Sequence, residues 1–195
     1  IPTANIGSTK SSGIDLMLSF NETFGKSLKL NTSLTFTTAK NEVTATNSDG
    51  TAKIPGGYYF NGQSQSVTVF EKGQTPGYFY GFRTDGLFQT FADVTGHATQ
   101  TGAQPGDIRY VDMNKDGVIN DADKTKIGDP FPDFTMGWNL NLEYKNFDFT
   151  AFTYASVGNE VYRAYERNAN YTNKDRMILA RWTGAGTATS AKNPR

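Results

Sequence analysis

One stretch of this chain concentrates groups that could do chemistry. Residues 110–134, YVDMNKDGVINDADKTKIGDPFPDF, crowd carboxylates and carboxamides into a loop, in a chain with no cysteine and one histidine. Asp112, Asn114 and Asp116 stand at positions 1, 3 and 5 of a twelve-residue calcium loop, with Gly117 at position 6, where the turn needs positive φ. Val118 offers its backbone carbonyl at position 7, Asn120 stands at 9 and Asp123 closes the loop at 12. Ca²⁺ takes oxygen ligands, several of them carboxylate, from a chain that wraps around it. Spacing by twos lets alternate side chains converge while those between face water. Ile119, at position 8, supplies an apolar contact.

The loop departs from signalling EF-hands in two respects. Position 12 is Asp, with a shorter reach than Glu, and the preceding DIRY reads as extended chain, not helix. Asn120 is placed to cap a brief helical turn that holds Asp121 and Asp123. The loop resembles the calcium loop of dockerin-like modules more closely. A bound ion would be structural, pinning a long loop whose carboxylates Asp112, Asp116 and Asp123 otherwise repel one another. The competing reading is an Asx-rich turn that binds nothing.

Other constellations carry less. Carboxylates abound, so a glycosidase pair is conceivable, but no two acids are placed in a recognisable cleft. His97 has no evident Ser or Cys partner and reads as a solvated loop residue, because a catalytic base needs partners in reach. No P-loop or dinucleotide fingerprint occurs. GGYYF (56–60) and VYRAYERNANY (161–171) place aromatics on exterior loops, where they could stack on sugars or simply pack. The 19 basic and 19 acidic residues balance, which leaves no basic footprint for nucleic acid.

The elements that must position the loop are strands. Abundant Gly (20), Phe (14) and Tyr (10), with much Thr, Asn and Ser, suit strands and turns over helices. Four segments alternate with period two, so each has one apolar and one polar side. Ile14, Leu16, Leu18 and Phe20 share a face opposite Asp15, Met17, Ser19 and Asn21. Leu28, Leu30, Leu34 and Phe36 oppose Lys29, Asn31, Ser33 and Thr35. Phe134, Met136, Trp138, Leu140, Leu142 and Tyr144 oppose Thr135, Asn139, Asn141 and Glu143. Phe147, Phe149 and Ala151 oppose Asp148 and Thr150, with Phe152 and Tyr154 undecided.

Two weaker segments flank KGQTPG, which makes six strands in three hairpins turning near 22–27, 72–77 and 144–147. The connections between hairpins, about 39–61 and 89–133, are long and rich in Gly, Pro, Asn and Asp. Short turns at one end and long loops at the other, on strands of about ten residues, are the pattern of an outer-membrane barrel. Apolar faces that end in Phe20, Phe36, Trp138, Tyr144 and Phe147 suit interfacial girdles. The alternative is a secreted soluble carbohydrate-binding β-module with a structural calcium; a β-rich hydrolase is a third reading. No window reaches 18 apolar residues, and the start IPTANIGSTK is no signal peptide, so the chain reads as mature or excerpted.

Residues 106–162, GDIRYVDMNKDGVINDADKTKIGDPFPDFTMGWNLNLEYKNFDFTAFTYASVGNEVY, resemble the signature region of SusC/RagA-type TonB-dependent transporters. GQTPGYFYGFRTDGLFQT (73–90) and NIGSTKSSGIDLMLSF (5–20) resemble further segments of that family, in the family's order. The resemblance implies an all-β fold, an arc of antiparallel up-and-down strands from a transmembrane barrel of about 22 strands whose plug domain is absent here. It implies a non-enzymatic part of an outer-membrane importer of oligosaccharides or peptides in a Bacteroidetes-type Gram-negative cell. The implied partners are a SusD-like surface lipoprotein, TonB engaging a segment not in this chain, and the lipid membrane. Lys29, Asn31, Asn139, Asn141 and Glu143 would then face the lumen, and the leucines and aromatics the lipid.

Overall fold

The computed structural model describes residues 7–46, 52–56, 66–162, 176–190 and 194. In chain order the elements are β1 (Ser8–Phe24), β2 (Leu28–Ala45), β3 (Ile54–Pro55), β4 (Thr68–Phe70), β5 (Tyr78–Phe82), β6 (Thr84–Leu87), α1 (Phe91–Thr95), β7 (Ile108–Tyr110), β8 (Lys124–Gly128), β9 (Phe134–Tyr144) and β10 (Phe147–Val157). Single turns of 3-10 helix occupy Asp121–Asp123 and Arg176–Ala180. The chain divides into two compact units. The first comprises 1–56, 68–78 and 128–161, the second 57–67, 79–127 and 162–195.

The first unit is built on a four-stranded antiparallel sheet in the order β1-β2-β9-β10. Its period-two segments pair in the register that keeps every apolar side on one face. Leu16 lies opposite Phe36 and Leu18 opposite Leu34. Phe36 lies opposite Met136 and Leu34 opposite Trp138, and Phe149 lies opposite Leu142. A slip by one residue would mix the two faces along the whole strand, so the alternation itself selects this register. The turn after β1 passes through Gly25 at φ +65°, and the two-residue turn after β9 through Lys145 at φ +55°. Both turns lie at the same end of the sheet.

Three sequence expectations change here. The hairpin expected around residues 72–77 is not part of this sheet, so the wall holds four strands where six were expected. Its segments are short and belong to a separate sheet, in which β4, of three residues, pairs with β3 through Ile54 opposite Phe70 and Pro55 opposite Val69. The turn itself is tied to β2: Val43 N–H donates to Gln74 O and Gly73 N–H to Val43 O. The wall strands leave at Ala45 and return at Phe134, both at the end opposite the turns. Second, β1 and β2 run to 17 and 18 residues, while β9 and β10 have 11. The extra length, STKSSG and TTAKNEVTA, is mostly polar on both sides. Third, Trp138 is not at a rim. It stands level with Leu34 and Thr153 in the middle of the apolar face.

Among the described residues the buried apolar ones are few: Val43, Val69 and Tyr78 in the first unit, Leu87, Phe88 and Ala188 in the second. In the second unit β6 pairs with β7, with an irregularity between Thr84 and Leu87. Thr90 caps α1, its hydroxyl accepting from Asp93 N–H while the Asp93 carboxylate accepts from the backbone of Thr90 and Gln89. Those amides, Thr90 first and Gln89 next, hold the Asp93 carboxyl below its ordinary range. Gln89 fastens residues 182–188 by donating to Ala188 O and accepting from Trp182 Nε1 and Gly186 N–H.

Candidate functional site

The acidic loop lies in the second unit and is organised by its own Asx side chains. Asp112 accepts from Lys115 N–H at 2.7 Å and Gly117 N–H at 2.8 Å. Asn114 Oδ1 accepts from Asp116 N–H, and Asp116 Oδ1 from Val118 N–H. These bonds roll the chain into a tight coil, which requires positive φ at Lys115 (+61°) and Gly117 (+83°). Gly117 meets no neighbour where a Cβ would stand, so backbone conformation and not crowding selects glycine there. Ile119 N–H donates to Thr99 O and Thr99 N–H to Gly117 O, a short parallel bridge that ties the coil to residue 99.

The other half of the loop closes on Asp123. Asn120 caps the 3-10 turn, its Oδ1 accepting from Ala122 N–H, and Asp123 accepts reciprocally from Asn120 N–H at 2.9 Å. Asp123 also accepts from Met113 N–H at 2.8 Å, and it is wholly buried. The amide of Asn120, then those of Met113 and Asn114, hold its carboxyl below the usual carboxylate range against the opposing effect of burial.

Asp112, Asn114, Asp116, Asn120 and Asp123 share one coil, and the Val118 carbonyl is within 3.4 Å of Asn120 Nδ2. Among the described residues, no three His, Asp or Glu side chains converge as a finished metal cage. The loop acids spend their oxygens on backbone amides instead. A carboxylate oxygen that accepts one N–H keeps a second lone pair, so these bonds do not exclude an ion. The donor set, all oxygen with three carboxylates, is the chemistry of a hard cation.

The wall carries two contrasting faces. One row of partners reads Lys29, Glu143 and Asp148, the next Asn21, Asn31, Asn141 and Thr150, the next Ser19, Ser33, Asn139 and Phe152. Lys29 Nζ meets Glu143 at 2.9 Å, both partners exposed. The opposite face is apolar and uncovered: Leu16 is 48% exposed, Leu18 56%, Phe20 50% and Phe149 58%. From Ile14 to Phe24 the strand rises about 33 Å, or about 25 Å at the tilt of a barrel strand, the height of an outer-membrane apolar band, with Glu22, opposite Leu30, interrupting the apolar row one step before Phe24. Phe24, Tyr144 and Phe147 mark the turn end of that band, and Phe36 stacked on Phe134 at 5.5 Å marks the other.

Two details escape the alternation rule. Phe152 and Tyr154 fall on the polar face, opposite Asn139 and Gly137, and are 68% and 64% exposed. Only the register could place them, because the run FTAFTYAS has apolar residues in both phases. His97, expected in solvent, is half-buried, its ring edge-on to Phe88 at 5.3 Å and its Nδ1 3.0 Å from Ala98 O. The aromatics expected on exterior loops at 57–60 and 163–171 lie outside the described residues. Of their neighbours, Val161 is exposed and Tyr162 leans on Phe79.

An antiparallel arc with one uncovered apolar face of membrane height, one polar face, short turns at one end and a long excursion at the other is the wall of a transmembrane β-barrel. The fold is shared with solved structures. The RagAB peptide transporter matches 98% of this chain with 21% of its own, at a TM-score of 0.61 and 21% identity. The RagAB peptide importer in its "open-open" state matches 97% of the chain at the same score. No family model matches the chain. In sequence it is 31% identical over 195 residues to TonB-dependent receptor P3 of Formosa agariphila, covering 97% of this chain and 19% of that one. It is 28% identical over 177 residues to TonB-dependent receptor SusC of Bacteroides thetaiotaomicron, covering 85% of this chain and 16% of the relative. The chain belongs to the SusC/RagA-type TonB-dependent receptors, and it spans about a fifth of the length of the curated relatives it matches.

Proposed function

We propose that this chain forms part of the barrel wall of a TonB-dependent importer in the outer membrane of a Bacteroidetes-type bacterium, carrying oligosaccharides or peptides inward. The observation that supports this best is the uncovered apolar face. A water-soluble sandwich or hydrolase would bury this face against a second layer, whereas here Leu16 is 48% exposed, Leu18 56% and Phe20 50%, and Leu30 and Leu140 are only partly buried. Open edges on β1 and β10 have no place in hydrocarbon, so in the barrel each pairs with a further strand. The relatives named for SusC and RagAB favour a glycan or peptide cargo and a SusD-like surface lipoprotein as partner. The role is conduction and not bond chemistry, with TonB pulling on a plug enclosed by the wall. The intact receptor is expected in the outer-membrane fraction, migrating anomalously in SDS unless boiled. Its deletion should abolish uptake of its cargo while leaving any surface glycanase or peptidase activity unchanged. A receptor found in the soluble fraction would overturn the reading.

We propose further that residues 112–123 hold a structural Ca²⁺ through Asp112, Asn114, Asp116, the Val118 carbonyl, Asn120 and Asp123. When bound, the ion would supply positive charge among the carboxylates of Asp112, Asp116 and Asp123. Chelation is expected to expose 106–126 to protease while the wall strands stay intact. Equal cleavage with calcium and with chelator would leave the loop as an Asx-stabilised turn.

A further inference from the structure

The apolar face of the wall is not smooth. A groove of about 560 Å³ opens in it, bounded by Leu18, Phe20, Leu34, Met136 and Trp138, with Thr32 and Thr153 between them. The groove exists because the residues at Thr32 and Thr153 are short where their neighbours are long. It lies at the middle of the apolar band, since Leu18 and Phe20 bracket the midpoint between Ile14 and Phe24.

Its polar groups are spent internally. Trp138 Nε1 donates to Thr32 Oγ1 at 2.9 Å, and Thr32 Oγ1 donates to the Asn139 carbonyl at 2.9 Å. In hydrocarbon an unpaired indole N–H would cost several kcal/mol in order of magnitude, so this relay is what allows a Trp at mid-band. It also leaves the groove with little to offer a sugar, a peptide or water, for the hydroxyl and the indole are already engaged. Thr153 adds one hydroxyl at the rim. A gap of this size facing lipid would forfeit dispersion contacts along its lining unless chain methylenes fill it.

We propose that this groove is a seat for the acyl chain of a membrane lipid. The lipid is held by shape at mid-depth, far from its head group. The seat rests on the reading that this face meets lipid, and goes beyond it in assigning one chain a defined place. Between lipid and protein there is no hydrophobic driving force of the kind that acts in water, so fit decides residence.

The test uses the intact receptor in bilayers doped with phospholipid brominated either deep in its acyl chains or close to the head group. The contribution of Trp138 is taken as the difference from W138F. Deep bromines are expected to quench Trp138 more than shallow ones. Thr153→Phe, whose ring occupies the groove, is expected to reduce that quenching about twofold, because contact attraction falls steeply with a small gap. Thr153→Val, which keeps the shape, should leave it unchanged and guards against misfolding of the larger variant. Unchanged quenching in T153F would mean that bulk lipid merely brushes the face, and the seat would be refuted. Absence of quenching by either lipid in the unaltered receptor would refute instead the placement of this face in the membrane.

Discussion

The wall and the acidic loop solve the same problem, satisfying backbone and side-chain polarity, in opposite ways. In the wall, strand pairing satisfies the backbone, leaving side chains free to sort by face. In the loop, short side chains satisfy the backbone: Asp112, Asn114, Asp116, Asn120 and Asp123 each accept from an amide two or more residues away. The wall can therefore exchange side chains freely within a face but not between faces. The loop can exchange almost none of its Asx residues, because each holds a backbone amide. Function follows that division, with the wall adapted to a medium and the loop to a geometry.

Breaking the division at adjacent wall residues should give the largest contrast. Leu18→Arg places a charge at mid-band and is expected to destabilise the barrel in bilayers by about 2–4 kcal/mol, whereas Ser19→Arg should change it by about 0.5 kcal/mol or less. Denaturant unfolding of the intact receptor in vesicles reads both. In the loop, Asp123→Ala removes the acceptor for the amides of Met113 and Asn120. Fast hydrogen exchange at those two amides is expected, with wall amides unmoved. Acid should mimic that change on the side the carboxyl dictates. A folded pKa held below the unfolded value contributes order that is complete above the ordinary value of 3.8 and is lost as pH falls through the lowered one. The protection of these amides, exchange corrected for its intrinsic dependence on pH, is therefore expected to be flat from neutral pH to the ordinary carboxylate range and to fall only below it.

The smallest effect concerns the polar face. Lys29→Ala should cost at most about 1 kcal/mol, since its bridge to Glu143 is exposed. It should cost more than Glu143→Gln, because removing Lys29 leaves Glu143 facing Asp148 across the strand pair. Unfolding midpoints of the two variants at low and high salt would separate them.

These contrasts mirror what could be read from the sequence. The four wall strands were legible because leucine and phenylalanine recur at every second position and a single register satisfies all four. The middle hairpin was misread as wall because YFYGF also alternates, yet β5 has only five residues and cannot span a band that takes about ten. The Asx coil was legible from its spacing, which sets Asp112, Asn114 and Asp116 two residues apart. The reciprocal capping by Asn120 and Asp123 was half legible, through the cap signal, while the complete burial of Asp123 depends on contacts that no spacing encodes. Trp138 was assigned to a rim by residue type, and only its register with Leu34 and the hydroxyl of Thr32 account for its place at mid-band.

Spin labels placed one at a time from residue 14 to residue 21, in a chain free of native cysteine, address the two-faced wall most directly. In vesicles, oxygen accessibility should peak at positions 14, 16, 18 and 20, and accessibility to a water-soluble nickel chelate at 15, 17, 19 and 21. Even-numbered positions shielded from both reagents would mean that the leucines pack inside a protein core, and the wall would not be a membrane wall at all.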